Sequence, residues 1–533
     1  MVEEGPGTAP VDPSSAARLP AGLTAEEHRI LAYASAIGSD FDFALLVRAM
    51  EAQEEQLAEE LEHLVHRGIL RERRGGERFG FSEEEFRARV YRSLTESRLR
   101  VLHRKIALAM ESLGTTPPAE QAAELGRHYF LGKVSDKSLA YNQKAAEEAR
   151  SVGEPERAVH HLERVLLELE HLPGDHRREQ GEVLQSLGDL VFSVGNFPAA
   201  DAYYHRALER VGPSQPNLTA RLTLARAEIA REDLDGEAAT RGALEARRLF
   251  EMTGDPVGVA QTHRLMARVA FARGDYTESL DENICALELL EGNRAPHLMG
   301  LLSIDLGNSF ALSGEECRPV AVDWYKHAIE LLSETGDWVE LSRAYHNLGV
   351  AVGESRPQDG LEYLARSREA AERAHDRRSA GWSLLSGVEM RLSLGQLDEA
   401  TRDVEQAART FEHLSDRLGL EQVDLNRGEI AERRGQWDDA EKAYQAAIAQ
   451  CRSFGLDADE SEVQFHLARL RTKTRDWEGA RAAFETAERL GLPKLRPNLL
   501  AGFEQVRQAL RAAGPPGARV PTEDAVTSDH PPL

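Results

Sequence analysis

The sequence predicts an all-α protein, an α-solenoid of antiparallel helix pairs preceded by a small N-terminal head. Two observations carry that prediction. The first is a small residue returning every 39 to 42 positions, at Gly188, Ala227, Ala267, Gly307, Gly349, Val388, Gly428 and Ala468. The second is a trailing set: Ala twelve residues on, an aromatic or apolar residue four further, and Ala three beyond that. Gly188 is followed by Ala200, Tyr204 and Ala207, Gly428 by Ala440, Tyr444 and Ala447, and Ala468 by Ala480, Phe484 and Ala487. Self-similarity at such a period is the signature of a repeat array.

Each element of the repeat has a physical reading. The small residue lets a second helix approach the first closely. A turn containing Gly195, Gly274, Gly395 or Gly435 sends the chain back. Ala, Tyr and Ala at intervals of four and three share one helical face and fill the space that the small residue leaves. One pair cannot bury its apolar face alone, so pairs stack into a superhelix with a concave groove. "NRGEIAERRGQWDDAEKAYQAAI" (Asn426 to Ile448) and "HLARLRTKTRDWEGARAAFETA" (His466 to Ala487) resemble the tetratricopeptide repeat. That resemblance implies a right-handed superhelix. A period near 40, against the usual 34, predicts longer helices or longer turns. The pattern thins in the middle: Gly307 reaches Ala321, Tyr325 and Ala328 two residues late, and Gly349 has no clean second half.

The chain divides into five expected parts. Residues 1–21 and 513–533 are rich in Pro, Gly, Ala and Ser and read as disordered. Residues 22–113 form the head, 114–182 degenerate helical hairpins, and 183–512 the solenoid. In the head, Thr24 with Glu27 makes a capping box, and helices follow to about Ala36, from Phe43 to Met50 and from Glu54 to Arg67. "ILRERRGGERFGF" (Ile69 to Phe81) reads as two short strands about a Gly75-Gly76 turn. Ser82 with Glu85 suggests a second capping box, for a helix through Leu94, and a last helix spans about Arg98 to Ser112. Three helices and then a hairpin is winged-helix order.

Leu61–Leu70, Phe79–Tyr91 and Arg98–Glu111 resemble the winged-helix segment that follows the nucleotide-binding module of STAND-type signal-transduction ATPases, maltose-regulator-like activators among them. Ala122–Phe130 and Ala140–Ala149 are similar to the first hairpins of the same proteins, whose chains continue into a tetratricopeptide superhelix. The sequence departs from that pattern in two ways. Glu83 stands where the family commonly has His, and no GxxxxGK[ST] loop is present to cradle phosphates. The resemblance is to the sensor half of a switch protein, without its motor.

Composition narrows the function. A net charge of −25 opposes wholesale nucleic-acid binding. No stretch approaches the roughly 20 apolar residues of a membrane span. The N-terminus lacks the basic and apolar regions of a signal peptide, which leaves the cytoplasm as the default. Cys285, Cys317 and Cys451 have no CxxC spacing and read as small fillers of helix packing. His160, His161, His171 and His176 lack HExxH spacing and read as solvated. Glu83, Glu84 and Glu85 suit a first helical turn. No GxSxG elbow occurs, and no catalytic set, cofactor site or metal site can be assembled.

Two candidate surfaces remain. Residues 67–105 hold 12 Arg or Lys against 6 Glu, with Arg71, Arg73, Arg74 and Arg78 on the wing. The helix before the wing, however, carries five Glu against one Arg, which opposes a DNA groove. The second candidate is the first-helix face of the solenoid. Positions three before, one after and four after each small residue predict a strip of Arg264, Arg268, Phe271 and Asn308, with Arg343 and His346 and with Trp382 and Phe465 in later repeats. Such a strip suits a peptide carboxylate or acidic side chain, held by charge-assisted bonds; solvated charges paired with neighbouring Glu are the structural alternative, and core packing that for Trp382 and Phe465. The reading is a non-enzymatic scaffold or adaptor in signalling or regulation that binds a protein or peptide, with an acidic or C-terminal segment as the candidate ligand and with no membrane and no nucleic acid. The competing reading is a transcription regulator whose head binds DNA and whose solenoid senses a ligand.

Overall fold

The computed structural model describes residues 22–73, 75–114, 118–212, 215–491 and 499–513, with backbone alone at 118–120. Arg74, the lead 1–21 and all but residue 513 of the expected tail lie outside the described residues. The chain falls into two compact units that divide between Asp255 and Pro256.

The first unit opens with the head: α1 (Ala25–Ile37), β1 (Asp40–Asp42), α2 (Phe43–Met50), α3 (Glu54–His66), β2 (Leu70–Arg73), β3 (Arg78–Phe81), α4 (Glu84–Arg92) and α5 (Glu96–Leu113). β3 lies between β1 and β2, antiparallel to both, with Phe41 opposite Phe79 and Leu70 opposite Phe81. β1 has no signal in the sequence; three residues carry no measurable period. Gly75 and Gly76, at φ +57° and +88°, close the hairpin where the sequence places the turn. The Thr24–Glu27 capping box forms with both bonds, at 3.0 and 2.6 Å. The second one does not: α4 starts at Glu84, its N-cap is Glu83 with no side-chain bond, and Glu84 is held by the Ser39 hydroxyl at 2.8 Å instead. Phe41, Phe81, Leu46, Leu61 and Ile106 fill the head's core, which reaches Leu125 and Tyr129 of the next helix.

Beyond the head, every described element is helical. In the first unit Ser135–Ser151 pairs with Pro155–His171, Arg177–Ser193 with Phe197–Val211, and Pro216–Glu232 with Gly236–Thr253. The first of these pairs carries Ala146, Ala158, Leu162 and Val165 at the repeat spacing, one beat earlier than the sequence pattern begins. Pair helices run 15 to 18 residues in the pair opening at Gly188 and in the one after it, so longer helices account for the period.

The second unit continues the scheme from Pro256–Ala272 through Trp477–Arg489, and Leu500–Ala512 closes it with Phe503 stacked on Phe484 at 4.2 Å. The small residues act as expected. A methyl on Gly188, Gly307 or Gly428 would lie 2.3, 2.5 or 2.3 Å from the ring of Tyr204, Tyr325 or Tyr444. Each glycine is thus a socket for the tyrosine of the returning helix. Gly195, Gly274, Gly395 and Gly435 sit at φ between +72° and +79°, in the turn seven residues after the small residue. Leu234 and Arg475 hold the same place at φ +61° and +63°, a left-handed conformation that costs a branched chain more than glycine.

The weak middle has its own packing. In the Gly349 repeat the second-half places belong to Gly360, Leu364 and Ser367, all buried. At the Val388 repeat the first helix is interrupted at Gly387, giving Arg377–Ser386 and Val388–Ser393.

Candidate functional site

First helices lie beside first helices of the following pair, and much of their polar surface joins successive repeats. In the second unit Arg264 Nε donates to Asp305 Oδ2 at 2.7 Å and Asn347 Nδ2 to Asn308 Oδ1 at 2.8 Å. His297 meets Asp337 at 2.8 Å, and Arg378 Nε donates to Asp416 at 2.6 Å. Glu432 receives Arg469 at 3.0 Å and Lys473 at 2.7 Å. The partners are 37 to 41 residues apart, one repeat, so these bonds form a ladder along the array.

The ladder rearranges the expected strip. Arg264 is a half-buried ion-pair member, and its side chain is only 15% exposed. Arg268 is half-buried and also has a partner. Phe271 rests on Tyr276, centroids 5.4 Å apart. Asn308 accepts from Tyr325 at 2.9 Å as well as from Asn347, so its amide oxygen serves the socket tyrosine. Phe465 is 1% exposed and packs on Phe503 at 6.1 Å, which makes it core rather than groove. Arg343 is exposed but pairs with Glu340 of its own helix at 2.7 Å. Exposed pairs of this kind contribute little.

Three strip residues do converge. Arg343 and His346, with Ser342 and Asn347, line one wall of a cavity of about 160 Å³. Ser379 and Trp382 of the next first helix line the opposite side, and Ser367 enters from the second helix between them. Trp382 stands edge-on to Phe411 at 5.5 Å, with the Arg378 guanidinium 5.9 Å from its ring. Burial pushes the His346 imidazole down to about 4, so it is neutral at pH 7. Its Nε2 faces the Ser386 hydroxyl at 3.4 Å. Ser342 and Ser367 each donate to the other's carbonyl at 2.9 Å, and Ser379 donates to Asp376 at 2.6 Å. The serine donors are satisfied within the protein, so their methylenes are what the wall offers a guest. Sequence spacing finds Arg343, His346 and Trp382. It misses the serines and Asn347, whose role depends on which neighbour each hydroxyl or amide meets.

The wing is neutralised in the same manner. Arg73 pairs with Asp40 and Arg78 with Asp42, each at 3.1 Å across the sheet, while Arg71 is exposed. Glu54, Glu55, Glu59 and Glu62 of α3 are exposed.

His161 and two cysteines differ from expectation. His161 is 6% exposed, faces Asn142 Oδ1 at 3.0 Å and is pushed down to about 4 by burial, so it is a core residue; His160 is exposed. Tyr91, His103, His128 and Arg127 form a chain of contacts of 2.8 to 3.0 Å that ties α4 and α5 to helix Pro118–Leu131. Arg127 can only donate, which makes each imidazole in turn an acceptor on one side and a donor on the other. Nothing in the sequence pattern marks it. Cys451 is buried filler, Cys317 is half-buried and Cys285 is exposed. Among the described residues no group of three or more His, Cys, Asp or Glu is placed to hold a metal, and no helix is long and apolar enough to cross a membrane.

Residues 419–490 match the tetratricopeptide repeat family, and the helix pairs with glycine sockets extend the same unit through both parts of the array. The array is built of tetratricopeptide-type repeats. No curated protein matches the chain. Among solved structures it is similar to a STAND protein with a tetratricopeptide repeat sensor from Pyrococcus horikoshii, at 14% identity and a TM-score of 0.46. That match covers 83% of this chain but only 66% of the archaeal one, so the chain spans just under two thirds of that relative's length. It is also similar to aspartyl phosphate phosphatase F from Bacillus subtilis, at 14% identity and TM-score 0.44, covering 67% of this chain and 94% of that one. A Rap protein solved in complex with competence and sporulation factor gives 14% identity, TM-score 0.43, and coverage of 68% and 94%.

Proposed function

We propose that the protein is a non-enzymatic adaptor of signalling or regulation that binds a segment of a partner protein along the first-helix face of its tetratricopeptide-type array. The observation that carries this reading is the convergence of Arg343, His346 and Trp382, from two successive first helices, on one cavity. Repeat arrays use the face lined by their first helices as an extended binding surface, and a cavity on that face supplies a pocket for one side chain. An acidic or C-terminal segment remains within this reading through Arg343 alone, since Arg264 is engaged by Asp305. The head, with its helix–strand–helix–helix–strand–strand order, is proposed as a winged-helix module that works as a protein contact. Paired Arg73 and Arg78 and the exposed carboxylates of α3 speak against a DNA-reading role.

Capture of partners from the source cell with the full-length chain tests the proposal, with Arg343→Ala and Trp382→Ala compared beside it. A specific partner should be retained by the wild type and lost from both variants while helicity by circular dichroism is unchanged. Undiminished capture by both variants would remove the face from consideration. Labelled duplex DNA should show no binding at physiological salt; binding that falls steeply as salt rises would favour the regulator reading.

A further inference from the structure

The cavity between helices Trp338–Gly353 and Arg377–Ser386 is lined by polar residues whose donors are engaged within the protein. Ser342, Ser367 and Ser379 donate to protein acceptors, Asn347 donates to Asn308, and Arg343 is joined to Glu340. Its one imidazole, His346, is uncharged at neutral pH. Trp382 and His346 bring the two rings that line the space, beside Ser342, Ser367, Ser379, Arg343 and Asn347. Such a lining offers a carboxylate only Arg343, already held by Glu340, and offers an ammonium no counter-charge, so either ion would lose more hydration than the cavity returns. Size selects further. The volume of about 160 Å³ is close to that of a cavity known to accept a benzene-sized guest, room for one flat ring.

We infer that this cavity is the anchor site for a single uncharged aromatic side chain, a phenylalanine or tyrosine, of the partner segment that the array binds. The inference rests on the proposed adaptor role and specifies its ligand. Edge or offset contact with Trp382 favours an aromatic over an aliphatic guest. Phe411, locked edge-on against Trp382, keeps the indole in place as a preformed wall, so little ordering accompanies entry. Arg343, at the cavity with its guanidinium exposed, adds a cation–π or backbone-carbonyl contact to a ring seated beside it. The charge of the surrounding strip then orients the partner, and the neutral cavity fixes its register.

The protein has five tryptophans, so full-length protein labelled with 5-fluorotryptophan gives five fluorine resonances, and Trp382→Phe assigns the one at the cavity. The probe is N-acetyl-phenylalaninamide, with the amide of N-acetyl-glutamate as the charged control. The Trp382 resonance should shift saturably with the first and stay in place with the second. Ser379→Leu, which fills the space, should weaken the probe about tenfold or more, whereas Ser379→Ala should retain it. Should Ser379→Leu lose helicity, Ser379→Val fills the same space with a smaller side chain and carries the same expectation. No saturable shift, an equal response to the glutamate probe, or full binding by the folded filling variant would overturn the inference. If the probe fails while partner capture still depends on Arg343 and Trp382, the aromatic anchor falls and the adaptor reading stands.

Discussion

The repeat opening at Gly428 and the stretch from Gly349 to Val388 are built from the same plan with opposite results. At Gly428 the plan is complete. Tyr444 fills the glycine socket, is fully buried, and donates its hydroxyl to Glu432 at 2.9 Å, and Glu432 is held in turn by Arg469 and Lys473 of the next pair. Packing and polar ladder close on each other. At Gly349 the socket faces Leu364 instead of a tyrosine, Gly360 stands against Gly353, and the following first helix breaks at Gly387. Here the ladder thins to the 3.4 Å contact of His346 with Ser386, and the cavity opens. The difference teaches that where the socket tyrosine lapses, the ladder between successive first helices thins with it.

The largest effect that can break this comparison is removal of a socket ring. Tyr444→Ala should destabilise the protein by about 3–5 kcal/mol in chemical denaturation, since it empties a fully buried ring site and removes a donor from Glu432. A cost below that of an exposed substitution would show that the socket does not hold the pair. Filling the socket comes next. Gly428→Leu should cost about 3 kcal/mol, because the Tyr444 ring lies where the new side chain must go. Gly349→Ala should cost about 1 kcal/mol, well below Gly428→Leu: the added methyl meets Leu364 Cγ at 2.9 Å and the Gly360 carbonyl oxygen at 3.1 Å, so both must give, while alanine recovers about 1 kcal/mol of helix propensity. Equal losses at the two glycines would erase the distinction.

A third prediction concerns Glu421, on the first helix of the complete repeat. Burial, reinforced by the Asp459 charge, pushes its carboxyl up to about 7, and its Oε1 is buried without a hydrogen bond. A carboxyl whose folded value lies above its unfolded value favours folding while protonated. Its contribution is full below about pH 4.5 and is lost as pH rises through about 7. Glu421→Gln should therefore match the wild type at pH 4 and exceed it by about 1–2 kcal/mol at pH 8, read as a Tm difference that grows with pH. A difference independent of pH would place the effect in packing rather than ionisation. The smallest effect is at the turn. Leu234 is 87% exposed at φ +61°, so Leu234→Gly should stabilise by about 0.5–1 kcal/mol, the relief of left-handed strain less the entropy of an added glycine.

The parts of this molecule that were legible in the sequence are those governed by period. Gly188, Gly307 and Gly428 and their tyrosines announce themselves because one contact repeats with one spacing. The head's hairpin was legible through Gly75 and Gly76, while β1 was not, since three residues have no period and gain their strand geometry from pairing with β3. The site was legible only in outline. Spacing places Arg264, Asn308 and Phe465 on the first-helix face, but a side chain's partner one repeat away decides whether it is available, and Asp305, Asn347 and Phe503 had taken these three. The cavity arises where the pattern weakens, and the absence of a pattern has no spacing to read.

Site-specific photo-crosslinking in the source cell tests the central claim most directly. A benzophenone side chain placed at Val350, 40% exposed on the first helix beside the cavity, is compared with one at Ala365, exposed on the second helix of the same pair. A discrete partner adduct from position 350, absent from position 365 and lost when Ser379→Leu fills the cavity, is the result expected. Equal adducts from both positions, or an adduct from position 350 that survives the filled cavity, would contradict the assignment of binding to the lapsed repeats.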